Sequence, residues 1–222
     1  VYEQGGLIPY FAGDSFTAIF PFDRKSADAT AEMAKRIIQT AQTTLNRFLD
    51  KGTEEGDLMT SLNIGIKIGL GQGDVEWGIV GENGTRAFYF RGDAVDFSAQ
   101  AQLHANSLEV VAHESFQAML GALDLPATPL DGGFVRIKLS DIPVLSPSAT
   151  IKVVFPEPDT ELLKHFYPEA VYAEQATGEF RNVVSVFISF DEVATHEALQ
   201  HFVGEILEQC HNFGGYFKEI DF

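Results

Sequence analysis

The sequence predicts an α+β protein, on three observations. "GGLIPYF" and "SFTAIFPF" are β-prone runs joined through Gly13 and Asp14, a hairpin signal that puts Asp14 at its tip. From Ser26 to Asp50, Met33, Ile37, Ile38, Ala41, Leu45, Phe48 and Leu49 recur at three- and four-residue steps, the pattern of an amphipathic helix. "LNIGIKIGLGQGDVEWGIVG" alternates Ile64, Ile66 and Ile68 with small or polar residues, turns at Gly71 to Asp74 and continues through Trp77 and Val80, which reads as a long second hairpin.

The remaining elements follow in order. Lys51-Gly52 ends the helix, and the acidic stretch to Asp57 is a loop. "ENGTR" is a turn, "AFYFR" a strand, and "GDAVDFSAQAQLHA" a helix with Val95, Ala99 and Gln102-Leu103 on one side. "LEVVA" reads as a short strand and "HESFQAML" as a helix starting near His113. Leu125 to Val154 is rich in Pro and Gly, with short strands at "FVRIKL" and "IKVVF". A linker with a short helix follows. "FRNVVSVFISF" then reads as a buried strand, and "HEALQHFVGEILEQCHNF" as a helix with Leu199, Phe202, Val203, Ile206, Leu207, Cys210 and Phe213 on one face. Gly214-Gly215 stop that helix, and "YFKEIDF" begins another strand.

Composition narrows the function classes. Thirty-two Asp and Glu against fifteen Lys and Arg give a formal charge of −17, which repels nucleic-acid backbones and anionic lipid. A nucleotide pocket needs only a local cation, backbone amides or a metal ion, so it stays open. The single cysteine, Cys210, allows no intramolecular disulfide and no Cys-rich zinc site, and no run of about 18 apolar residues is present. The expectation is a cytoplasmic chain without a membrane segment. Some patterns carry no chemistry. "GLGQGDVEWG" lacks the Lys-Ser/Thr of a phosphate-binding loop and opens no helix. His196, His201 and His211 lack metal-ligand spacing and read as helix-surface residues, while Cys210 reads as core.

Together, Gly13-Asp14 within "FAGDSFTAIF", the helix, the glycine-rich hairpin and Gly92-Asp93-Ala94-Val95-Asp96 resemble the class III nucleotidyl cyclase domain over roughly residues 5 to 120. The resemblance implies a ferredoxin-like βαββαβ palm over 1–156, lacking its first strand and helix. A linker at 157–179 and the first strand-helix-strand of a second such domain at 180–222 would follow. "GGLIPYFAGD" and "GGYFKEIDF" would then be copies of one element, in a tandem resembling the bicarbonate-activated soluble adenylyl cyclases. The tail would also offer the strand and helix that the first domain lacks.

The activity implied is cyclisation of ATP to cyclic AMP and pyrophosphate with two Mg²⁺ or Mn²⁺ ions. The site would be composite, shared with a second cyclase-like domain in the same chain or in a dimer partner. Asp14 matches one of the family's two metal-binding aspartates, so it is the catalytic and metal candidate; the other would stand before Val1. A plain turn residue is the competing reading of Asp14. Asp96 and Gln100 occupy the nucleotide-binding slots where the family has Asn and Arg; ordinary helix-surface polarity is the alternative. Lys218 stands near the family's adenine-reading position, or is an exposed strand lysine. In the second domain Phe190 falls in the metal-aspartate slot and Asp191 one place later, which on a strand is the opposite face. Tyr10 and Ala99 replace the lysine and arginine of the bicarbonate site. The other function class compatible with these departures is a degenerate cyclase-like regulatory or dimerisation module.

Overall fold

The computed structural model describes residues 1–22, 26–50, 65–82, 84–139, 142, 148, 151–152, 154, 156–157, 159–169, 182, 184–190 and 193–220. The chain is mixed α+β with small sheets and divides into two compact units. One comprises Val1–Glu76 and Arg91–Val154, the other Trp77–Phe90 and Phe155–Phe222. Among the described residues, no helix is long and apolar enough to cross a membrane.

In the first unit, strands β1 (Phe11–Ala12) and β2 (Ser15–Phe16) form the expected hairpin. Helix α1 (Ala27–Asp50) starts at Ser26, whose Oγ accepts from the Ala29 amide at 3.1 Å, the bond an N-cap serine makes. Its apolar stripe, Ala34, Ile38, Ala41 and Leu45, is buried. The unit's main sheet has the order β3-β6-β8-β7, from β3 (Ile68–Leu70), β6 (Val110–His113), β7 (Ala127–Leu130) and β8 (Phe134–Ile137). β3 and β6 are parallel, and the other two pairings are antiparallel. Pro129, which has no N–H to give, sits on the edge strand β7.

Successive residues of β6 face opposite ways, and both faces are covered. Val110 and Ala112 join the α1 stripe together with Phe116, Met119 and Leu120, residues of a short 3₁₀ turn (Glu114–Phe116) and helix α3 (Gln117–Ala122). Val111 instead packs with Ala101, Ala105 and Phe134, on the side of helix α2 (Asp93–Leu103). That explains why "VVA" is apolar without alternation, as a strand buried on both faces must be. Removing one of these side chains, Ile38→Ala for example, costs about 2–5 kcal/mol.

The second unit is built on β4 (Glu76–Val80), β5 (Ala87–Arg91) and α5 (His196–Asn212). Val80, Ala87 and Tyr89 pack against Leu199, Val203, Leu207 and Ile220. Thr195 caps α5 by accepting from the Ala198 amide. At its other end Gly214 takes φ 69, and the Gly215 amide donates to Cys210 O at 2.7 Å and the Gly214 amide to His211 O at 3.3 Å. This paired arrangement is a Schellman stop, as the glycine pair predicts. The short helix expected after residue 157 is α4 (Thr160–Leu163), capped by Asp159.

Several strand expectations change. β3 does not fold back on β4: its partner is β6, and β4 pairs with β5. The turn between them is held elsewhere, with the Gln72 amide donating to Ser115 Oγ and the Ala94 amide to Asp74 O. The described part of "FRNVVSVFISF" is not a strand, and Val184, Val186 and Phe187 are strongly exposed. Alternating β-branched residues make a strand only where a ladder partner and a covering face exist. This segment therefore does not supply the strand the first domain was expected to lack. Residues 216–220 of "YFKEIDF" also carry no strand, although Ile220 is buried, and nor do the described residues of "IKVVF".

Candidate functional site

Asp14 lies where its sequence places it. Phe11 pairs with Phe16 and Ala12 with Ser15, leaving Gly13 and Asp14 as a two-residue turn. Gly13 has φ 62, and a positive φ at the first central position is what a type II′ hairpin turn asks of glycine. Ser15 Oγ closes the turn by donating to Ala12 O at 2.9 Å. Below the tip, the Phe11 and Phe16 rings sit 5.2 Å apart, and a further bridge joins Leu7 to Ile19. Three residues on the first arm face two on the second between these pairings, a bulge containing Pro9. The Asp14 carboxylate is exposed and has no hydrogen bond or ion pair with any described residue.

Asp96 and Gln100 lie on α2, and the way this helix is seated is the most distinctive feature of the unit. Gly69, Gly71 and Gly73 alternate along and just beyond β3, so one face of that segment has no side chains. A Cβ on Gly69 would stand 2.0 Å from Ser98 O, one on Gly71 2.6 Å from Ser98 N, and one on Gly73 2.5 Å from Asp93 Cβ. The helix backbone therefore rests directly on the strand. Gly92, at φ 125, brings the chain into the helix where a Cβ would stand 2.6 Å from Asp74 O. Asp93 and Asp96 in the first turn suit the positive end of the helix dipole. Asp96, Gln100 and Leu103 fall at four- and three-residue steps on one exposed face, with Leu103 77% exposed.

Lys218 belongs to the second unit, is exposed and pairs with Glu219 at 2.6 Å; it is not on a strand. Asp191 lies outside the described residues. Phe190 packs on Phe202, its ring 5.0 Å away, and so has a core role. Among the described residues no three His, Cys, Asp or Glu side chains gather as a metal-binding group.

Two polar networks escaped the sequence reading. His196, read as a surface residue, places Nδ1 3.0 Å from the hydroxyl of fully buried Tyr89. In the first unit, His113 Nδ1 accepts from the Ser115 amide, and its ring stacks on Phe97 at 4.0 Å. The Nδ1 acceptor requires the neutral ring to carry its proton on Nε2. The Tyr89–His196 contact leaves no local signal, its partners being 107 positions apart, whereas His113 caps the turn that begins at Glu114, at the helix start expected from the sequence. Glu109 accepts from the backbone and side chain of Asn106 and lies 3.2 Å from Arg136 Nε. The Asn106 backbone bond first, and then Arg136, hold its carboxyl below the usual value of 4.5 against partial burial. No family model and no curated protein matches the chain.

Proposed function

We propose that this chain is part of a class III nucleotidyl cyclase of the adenylate type, with a cyclase palm as its first domain. Asp14 is the carboxylate it contributes to a composite site, and the groups it lacks come from a second cyclase-like domain in the same chain or in a dimer partner. The observation that supports this best is an unpaired carboxylate at the tip of a two-residue hairpin, followed in order by a long helix and by Gly92-Asp93 opening a second helix. A lone hard oxygen donor suits Mg²⁺ or Mn²⁺, since Mg²⁺ is commonly held by one or two carboxylates together with substrate phosphates. When bound, two such ions would stabilise the attacking ribose oxygen and the leaving pyrophosphate. Lys218 would read adenine only after releasing Glu219.

A second reading rests on one specific observation: Gln100 stands where transition-state charge calls for Arg, and Gln has no guanidinium to give. The chain would then be a degenerate regulatory or dimerisation module. The exposed face of Asp96, Gln100 and Leu103 would be the surface it offers to a partner.

Cyclic AMP formation from ATP with Mn²⁺, measured on the full-length protein, separates the readings. The first expects activity that Asp14→Ala lowers roughly a hundredfold, about 2.7 kcal/mol of barrier. Equal activity in Asp14→Ala rejects the metal role. Absence of cyclisation in the unaltered protein favours the second reading.

A further inference from the structure

We propose that His113 is a pH-sensitive latch: with a neutral ring it ties the turn after β3 and the first turn of α2 to the end of β6, and on protonation it releases them. The inference stands on bonds inside the first unit and goes beyond either functional reading. His113 is the last residue of β6 and caps the 3₁₀ turn that follows, its Nδ1 accepting from the Ser115 amide at 3.2 Å. Ser115 Oγ in turn accepts from the Gln72 amide at 3.0 Å, and two residues further on Asp74 O accepts from the Ala94 amide at 3.4 Å. The ring itself stacks on Phe97 of α2, with centroids 4.0 Å apart and planes 16° apart. One histidine therefore stands where the sheet, the turn and the helix meet.

Only the neutral ring with its proton on Nε2 makes the first of these bonds. The imidazolium carries an N–H on both nitrogens, so protonation sets two donors against each other at Nδ1 and the partly buried Ser115 amide loses its acceptor. Histidine is the side chain whose charge ordinarily changes between about pH 5 and pH 8. The aromatic contact does not reverse the effect, because the face of Phe97 receives an imidazolium as readily as an imidazole. The ring keeps its place while the amide is let go.

The charged groups on the surrounding elements leave that bond as the point of response. Glu109 and Arg136 are paired with each other. α2 brings Asp93 and Asp96 in its first turn, and His104, which stacks on Phe134 at 4.0 Å. Asp74 stands in the turn after β3, Glu114 beside Gly133, and Asp131 in the turn before β8. No described hydrogen bond or ion pair joins any of them to the His113 ring. Gly69 and Gly71 meet α2 at Phe97, Ser98 and Gln102, so the body of the helix stays seated. The release is confined to its first turn, which carries Asp93 and Asp96.

Amide hydrogen exchange of the full chain tests this, read residue by residue at about pH 7.5 and about pH 5.5 and corrected for intrinsic rates. Losing one such bond corresponds to roughly a three- to tenfold fall in protection, expected at the lower pH for the Ser115, Gln72 and Ala94 amides. His113→Asn keeps an acceptor for the Ser115 amide but has no proton to gain, so its protection should be the same at both pH values. His104→Asn, which removes the other histidine stacked in this row of rings, should leave the fall intact. In the unaltered chain the ¹⁵N imidazole resonances of His113 should show Nδ1 without a proton at the higher pH and gaining one as protection falls, a readout that needs no variant to fold. The proposal is overturned if protection at these amides is equal at the two pH values, if the fall persists in His113→Asn, if His104→Asn abolishes it, or if Nδ1 carries the proton at the higher pH.

Discussion

Replacing Gly69 by alanine adds one methyl group at the closest approach in the first unit. Its Cβ would stand 2.0 Å from Ser98 O and 2.4 Å from Gln102 N, where ordinary contact begins at 3.4 Å. The shortfall at the oxygen is 1.4 Å, the difference of those two distances. Both obstructing atoms are helix backbone, so no side-chain rotation relieves the clash and α2 must lift away from β3. A gap of 0.5–1 Å already forfeits about a quarter to a half of each dispersion contact, and overpacking of this kind typically costs about 1–3 kcal/mol. The lower chain entropy of alanine returns about 0.5–1 kcal/mol. With the clash at the upper end of its range, the net destabilisation is about 2 kcal/mol, or roughly thirtyfold in an opening equilibrium. Hydrogen exchange of the α2 amides reads it directly, with faster exchange expected across residues 93–103. Unchanged exchange, together with a urea midpoint equal to that of the unaltered protein, would refute the direct seating of α2 on the strand.

Three further substitutions probe other parts of the chain. Gly204 lies inside α5 with nothing near its missing Cβ, so Gly204→Ala should stabilise by about 0.8–1 kcal/mol, seen as a higher urea midpoint. Tyr89→Phe removes the hydroxyl that meets His196 and should cost about 1 kcal/mol in the same assay; a variant as stable as the unaltered chain would mean that this bond contributes nothing. Glu109 has a folded pKa below 4.5, so its contribution is present above that value and fades as pH falls through the folded one. Glu109→Gln should therefore be less stable than the unaltered chain at neutral pH, the difference closing as pH falls below 4.5, and a gap independent of pH would contradict the assignment.

What the sequence makes legible is what local signals encode. The hairpin around Asp14, α1 with Ser26 before it, and α5 between Thr195 and the glycine pair all follow from neighbours a few residues apart. Strand partners are a different matter. "GLGQGD" carries the turn signals of a hairpin, yet β3 pairs with residues some forty positions on, because the turn's polar groups bond to Ser115 and Ala94 instead. A usable clue was present: glycines at 69, 71 and 73 have the period of a strand face, and a face stripped of side chains is one another backbone can approach. The candidate site divides in the same way. Asp96 and Gln100 share a face, as a four-residue step dictates, and Asp14 is at a tip, as Gly-Asp dictates. Lys218 lies in a segment whose residues 216–220 form no strand, and the meeting of Tyr89 with His196 has no local sequence signal.

The seating of α2 bears on function whichever reading holds. A helix separated from its sheet by a layer of side chains can shift while those side chains adjust. One whose backbone touches the strand cannot move without breaking contact along three glycine positions. Asp96, Gln100 and exposed Leu103 therefore stand on a mount fixed from beneath, with little freedom beyond their own rotamers. Precise placement is useful to a group that must meet a ribose or a partner surface, and it confers no advantage on a solvated polar face. The glycine track costs backbone entropy in the unfolded chain at each position. Glycine beneath α2 is what lets the helix and strand backbones meet, whereas Gly204 of α5 has open space at its missing Cβ and serves no such contact.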